Sequence, residues 1–244
     1  MNSALIGIVG PSGSGKSSSF FPEPELGIVG LDPKQTFIIN VAGKPYPFGG
    51  WRNLYFPLTA KNDKGNYINS EDADVIVKTM TYIDNNRPEV KNIVVDDFQY
   101  LMAMEFVDKA MIKGYDKFNE IAMHCMQVLN TGRKLRGDIK TFILTHSEDV
   151  EIGFGNVVKK IKTVGKMVDD KIEPAGLFTV LLYTKTTWDD TEKKTIYQFV
   201  TNRDGEYPAK SPYGMFKDLY IPNDLGYVAS CIDKFENKVV NNKM

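Results

Sequence analysis

Apolar residues in this chain fall into short unbroken blocks, and between them lie longer stretches in which apolar positions recur every three or four residues. The blocks have strand length: Ala4-Leu5-Ile6-Gly7-Ile8-Val9, Thr36-Phe37-Ile38-Ile39-Asn40-Val41, 92–96, 139–145, 177–184 and 195–201. The periodic stretches predict helices over 70–84, 97–113 and 115–136, the last with Arg133, Lys134 and Arg136 in its final turn and Gly137 as its stop. Residues 42–69 are rich in Gly, Pro, Asn and aromatics and read as an ordered loop. Helices alternate with strands through residue 145, and two strands close the pattern. The expected fold is α/β: layers around a mainly parallel central sheet, ending in a C-terminal antiparallel hairpin. Met102, Met104, Met111, Met123 and Met126 fall within the two central helices, where core filling is their expected role.

At 244 residues the pattern fits one domain, with a core over 4–150 and the stretch 151–235 belonging to the same unit. Hydrophobic content of 42% and charged content of 25% are those of a soluble globular protein. No run approaches the length of a membrane span, and the apolar N-terminal block lacks the layout of a signal peptide. Cys125 and Cys231 lie far apart without metal-ligand spacing, so free buried thiols in a reducing, cytosolic compartment are expected. A net charge of −1 supplies no global field toward nucleic acid. Any such binding has to come from a local basic strip or from assembly.

One stretch carries specific chemistry. Gly10-Pro11-Ser12-Gly13-Ser14-Gly15-Lys16-Ser17 matches the phosphate-loop pattern G-x-x-x-x-G-K-[ST] in full. The glycines let successive N–H groups converge on an anion, and a helix beginning at Ser17-Ser18 aims its positive end at the same point. Lys16 reaches the β- and γ-phosphates, and the Ser17 hydroxyl can ligate Mg²⁺. The block 4–9 leads into the loop, and one or two helical turns can follow before Pro22, which is the order of elements this motif needs. The expected ligand is a purine nucleoside triphosphate.

A phosphate loop needs a partner carboxylate for its metal. Asn92-Ile93-Val94-Val95-Asp96-Asp97 is an apolar strand ending in two acids, where ligands gather in an open parallel sheet. Asp96 is assigned to the Mg²⁺ shell. Asp97 is either the group that orients or deprotonates the attacking water, or an N-cap for the helix near Phe98. The strand Thr141-Phe142-Ile143-Leu144 brings His146 to a tip that can touch a γ-phosphate; an ordinary loop histidine is the alternative. His124, amid Met123, Cys125 and Met126, reads as a packed side chain, and with no Cys/His cluster a zinc site is not expected. Arg203 and Lys210 flank an Asp204-Gly205 turn, either as a solvated hairpin tip or as a positive finger acting across a subunit boundary.

Several further stretches are more particular than any single motif: Thr36 to Phe48, Asp96-Asp97-Phe98-Gln99-Tyr100-Leu101-Met102, Gly165-Lys166-Met167-Val168, Gly176 to Tyr183, Ala209-Lys210-Ser211-Pro212, Gly214-Met215-Phe216 and Ile221-Pro222-Asn223-Asp224-Leu225. Together with the phosphate loop they resemble the small phage-encoded ATP-binding proteins with a RecA-like core, which include single-strand annealing proteins of phage recombination. The resemblance runs from about residue 4 to 235. It implies an ATPase core with ATP and Mg²⁺ as cofactors, working on single-stranded DNA as a homo-oligomer, often beside a single-strand binding protein, in the host cytosol. The chain departs from RecA-like recombinases after the second strand: Asn40 to Gly43 contain no acid where those proteins place a catalytic glutamate. Hydrolysis then relies on Asp97 or is slow. Loops beyond the sensor strand face DNA in such cores. Here that stretch carries Lys159, Lys160, Lys162, Lys166 and Lys171, with Phe154 as its one stacking residue; a merely solvated basic loop is the alternative. A rival reading is an NTPase acting on a protein partner, such as a loader or assembly factor. A nucleoside kinase fits less well, because the five arginines are scattered and form no lid.

Overall fold

Residues 3–164 and 173–238 are described in a computed structural model. Their strands, in chain order, are β1 (Ala4–Val9), β2 (Thr36–Asn40), β3 (Tyr67–Asn69), β4 (Asn92–Asp96), β5 (Lys140–Thr145), β6 (Ser147–Glu151), β7 (Val157–Ile161), β8 (Val180–Asp189), β9 (Lys194–Val200) and β10 (Tyr220–Pro222). Eight of them form one sheet in the order β10-β9-β8-β1-β5-β4-β2-β3, while β6 and β7 form a separate hairpin. From β8 to β3 every pairing is parallel; β9 runs antiparallel to β8, and β10 antiparallel to β9. The apolar blocks are unbroken because the central strands are covered on both faces. In β4, all five residues are buried.

One face carries α1 (Ala73–Asn86), α2 (Gln99–Asp108) and α3 (Asp116–Lys134). They bury Ile76, Met80, Ile83, Ile121, Cys125 and Val128 against Leu5, Val9, Val95 and Ile143. Helix α1 starts where Asp72 accepts hydrogen bonds from the N–H groups of Asp74 and Val75, an N-cap that satisfies two otherwise unpaired donors. The opposite face carries α4 (Leu225–Glu236) and an aromatic group in which Phe21 stacks on Phe48 and meets Tyr46 and Tyr55 edge-on.

Helix α4 is anchored by one carboxylate. Asp224 Oδ1 accepts from the N–H groups of Gly226 at 2.8 Å, Tyr227 at 3.3 Å and Gly30 at 3.0 Å, and Oδ2 accepts from Val29 at 2.8 Å. It therefore caps the helix and ties it to the 29–30 turn. The fit is tight: a Cβ on Gly226 would lie 2.0 Å from the Gly30 carbonyl oxygen. Removing a buried charged acceptor leaves several donors unpaired, so Asp224→Ala is expected to lower stability by about 2–4 kcal/mol. Urea unfolding with an unchanged m-value checks this, and a midpoint equal to the parent's would refute the clamp.

The structure corrects several expectations. The helix expected over 97–113 is α2, which ends at Asp108, and α3 ends at Lys134 with Leu135 already extended, short of Gly137. The block at 177–184 is displaced: Pro174–Leu177 makes a 3₁₀ turn, and β8 runs on to Asp189 because β9 pairs with it that far. The helix expected after the phosphate loop is a single 3₁₀ turn, Ser17–Phe20, pinned by the buried Phe20 and Phe21 ahead of Pro22. Of the five methionines, Met102 is buried and Met126 packs on the core, but Met104 is 36%, Met111 93% and Met123 59% exposed. Cys125 is a buried free thiol, its pKa pushed up to about 12 by burial, whereas Cys231 is only partly covered. No helix among the described residues is long and apolar enough to cross a membrane.

Candidate nucleotide site

The carboxyl ends of β1, β5, β4 and β2 lie along one edge of the sheet, with Val9 level with Thr145 and Asn40 level with Asp96. The loop 10–17 leaves this edge. Gly13 and Gly15 have φ of 75° and 85°, a left-handed backbone that glycine adopts without strain. Two contacts from β8 and the C-terminal segment fix the loop: Thr184 Oγ1 donates to Ser14 Oγ at 2.8 Å, and Asn223 Nδ2 donates to the Ser14 carbonyl at 3.3 Å. Among the described residues, the N–H groups of Gly13, Gly15 and Lys16 find no carbonyl or carboxylate acceptor, which is how an anion cradle is built. With only four residues in the turn that follows, these N–H groups replace the helix dipole expected from the sequence.

Lys16 is buried, its Nζ donating to the carbonyls of Gly10 and Pro11 at 2.8 Å each. Burial pulls its pKa down to about 8, against the opposing pull of Asp96 and Asp97. Ser17 Oγ donates to Asp96 Oδ1 at 3.0 Å, which also accepts the Asp97 N–H. Asp96 is fully buried and its pKa is pushed up to about 7, first by burial and then by the neighbouring Asp97. Its Oδ2 has no hydrogen-bond partner among the described residues. A buried, unpartnered carboxylate oxygen beside a serine hydroxyl fits Mg²⁺ and its water shell, a hard cation with oxygen ligands.

Asp97 adopts φ of 59°, which costs a non-glycine residue about 1–3 kcal/mol. The capping alternative fails: Phe98 occupies the cap position of α2, and no side chain caps that helix. The Asp97 carboxylate instead turns into the cleft, with Oδ2 2.5 Å from Lys44 Nζ and Oδ1 3.8 Å from His146 Nε2. His146 sits at the tip of β5 beside the loop, and its backbone N–H donates to Gln99 Oε1 at 3.3 Å. Burial, and then the charge of Lys16, lowers its pKa to about 4, so at neutral pH it is an uncharged imidazole.

Lys16, Ser17, Lys44, Asp97 and His146 line one cleft of about 940 Å³, together with Leu26, Ile28, Tyr197 and Pro222, while Asp96 lies behind Ser17 and does not line it. Arg203 and Lys210 do not line it. Lys210 pairs through its backbone with Leu181, level with Gly7 and so below the loop. Of the candidate DNA contacts, Lys159 is already engaged: its Nζ lies 2.9 Å from Asp149 Oδ1 and 3.8 Å from Glu206, over the Tyr207 ring. Lys160 and Lys162 are exposed, Phe154 is fully exposed at the β6–β7 tip, and Lys166 and Lys171 lie outside the described residues. His124 binds the Glu105 carboxylate at 2.8 Å, and with Glu120 the three could face a cation; the Lys109 ammonium already sits 2.6 and 2.7 Å from the two glutamates.

Sequence reasoning missed Lys44, Asn40, Thr184 and Asn223. Asn40, Lys44 and Asn223 fall in stretches noted above for the family resemblance, but their place at the site, like that of Thr184, comes through a strand end or a long-range contact.

A phosphate loop after β1, an acid at the end of β4 and one strand between the two place a candidate nucleotide site at the carboxyl edge of an α/β fold with a mainly parallel sheet, extended on one side by the antiparallel β9 and β10. The sequence matches no protein-family profile and no curated protein. Among solved structures, a KaiC-like protein from the hyperthermophilic archaeon Pyrococcus horikoshii aligns with 82% of this chain and 78% of its own, at 11% identity and a TM-score of 0.42.

Proposed function

We propose that the chain is a Mg²⁺-dependent ATPase that acts on single-stranded DNA. The observation that carries the ATPase reading is the convergence of the phosphate loop, the Ser17–Asp96 pair and the inward-turned Asp97 in one cleft. Mg²⁺, held by Ser17 and Asp96, would neutralise charge on the β- and γ-phosphates. Lys16 binds the same phosphates and the loop N–H groups orient them. Asp97 takes a proton from water as the water oxygen bonds to the γ-phosphorus and the bond to the β,γ-bridging oxygen breaks, leaving ADP and phosphate. His146, uncharged, reads the γ-phosphate by a hydrogen bond.

The DNA reading is supported by a link from this centre to the β6–β7 hairpin. The Lys162 N–H donates to the His146 carbonyl at 2.8 Å, so a shift of His146 moves the base of a hairpin bearing Lys160 and Phe154. ATP turnover with and without single-stranded DNA, across a salt series, tests it. Stimulation and a steep loss with salt are expected, and Phe154→Ala is expected to weaken DNA binding by about 1–3 kcal/mol. No DNA response in turnover or binding would overturn this part and leave the ATPase standing.

One observation favours the alternative of a protein partner or self-assembly: Val107, Met111, Ile112 and Tyr115 are exposed together at the α2–α3 corner. A homo-oligomer would let Arg203 or Lys210 serve a neighbour's nucleotide. Turnover per subunit then rises with protein concentration, and a flat profile across the assembly range would count against both. The cytosol and a single-strand binding protein partner complete this reading.

A further inference from the structure

We infer that Lys44 is the residue that distinguishes a triphosphate from a diphosphate in this site, and that it restrains Asp97 until a γ-phosphate arrives. The inference rests on the nucleotide reading above and deepens it.

Lys44 sits where β2 ends, on a turn built to deliver it. Asn40, level with Asp96, is buried; its Nδ2 donates to the Lys44 carbonyl at 2.8 Å and its Oδ1 accepts from the Gly43 N–H at 3.1 Å. Gly43 has φ of 65°, and the Val41 N–H donates to the Asp96 carbonyl at 3.1 Å, which docks the turn on the acid strand. The backbone is thus fixed while the side chain is 53% exposed, on a four-carbon stem with freedom to move. Its ammonium holds Asp97 Oδ2 at 2.5 Å. Asp97 is almost wholly buried and its Oδ2 makes no hydrogen bond among the described residues, so the contact is an ion pair in which the ammonium offsets the charge of the carboxylate. Lys44 lines the cleft with Lys16, Asp97 and His146, and Asp97 brings Lys44 and His146 together at 2.5 and 3.8 Å.

A γ-phosphate carries more negative charge than one carboxylate and offers more acceptor oxygens. When it is bound, Lys44 transfers to it and Asp97 becomes free to take the water proton. ADP presents no γ-phosphate, and the Lys44–Asp97 pair persists. The chain lacks the glutamate found after the second strand in RecA-like recombinases, and it places a cation near that position instead.

The test is the affinity of the full chain, with Mg²⁺, for ADP and for a non-hydrolysable ATP analogue, in the parent, Lys44→Met and Lys44→Arg. Lys44→Met is expected to weaken the ATP analogue by about 10-fold or more while ADP changes less than about twofold, because one charge-assisted contact is lost with one nucleotide only. Lys44→Arg is expected to restore the preference, which a purely structural role of the stem would not require. An equal loss for both nucleotides, or no loss for either, overturns the assignment while the nucleotide reading survives. A parent chain that binds neither nucleotide overturns both.

Discussion

Asp97→Asn is expected to lower ATP turnover by about 10²–10⁴-fold while ATP still binds, the range attached to a positioned general base. The substitution is clean for a structural reason. Asn tolerates left-handed φ as well as Asp does, so the backbone at 59° is retained. No helix cap is lost, because α2 takes none from this side chain. The amide keeps the size of the carboxylate but cannot accept the water proton, and it no longer holds Lys44 by charge. Single-turnover phosphate release, with nucleotide affinity measured in parallel, separates the two effects. Unchanged release would reduce Asp97 to a mere partner for Lys44.

Lys16→Ala is expected to cost nucleotide affinity about 2–5 kcal/mol, the range for truncating one member of a buried charged contact. Lys16 is a buried ammonium whose free-state bonds go to the Gly10 and Pro11 carbonyls, neutral acceptors that a phosphate outcompetes. Its removal also strips positive charge from beside Asp96 and Asp97, so the Asp96 carboxyl rises further. Calorimetric titration reads the affinity directly, and the stabilisation by saturating ATP, which scales with the logarithm of ligand over Kd, should vanish at ordinary concentrations. Tight ATP binding by the variant would refute the assignment of the loop.

Much of the candidate site was legible in the sequence because its parts sit where local patterns end. The strand at 92–96 is buried on both faces, so its apolar run is unbroken and Asp96 marks its end; the run before Gly10 places the phosphate loop in the same way. The position of His146 at a strand tip follows from the block that precedes it. Lys44 lies in the stretch Thr36 to Phe48 noted for the family resemblance, but its place beside Asp97 was not legible, because the register of β2 on β4 brings it there. Helix α4 escaped for a related reason: its cap, Asp224, earns its partners from residues 29–30, far away in the chain. The β6–β7 hairpin lies apart from the main sheet, and its strands hold part-buried and exposed residues with none buried, so no alternation of buried and solvated positions announces it. The exposed Met111 and Met123 show the converse, apolar residues on predicted helices that meet no core.

The Asp224 clamp also sets an order of events during synthesis. The loop 10–17 is translated before Asn223, which braces it, and Pro222, which lines the cleft. Both emerge only after the whole parallel sheet has been translated. A ligand stabilises only the state that binds it, so under the nucleotide reading proposed above its full binding energy is added once the chain has been translated through Asn223.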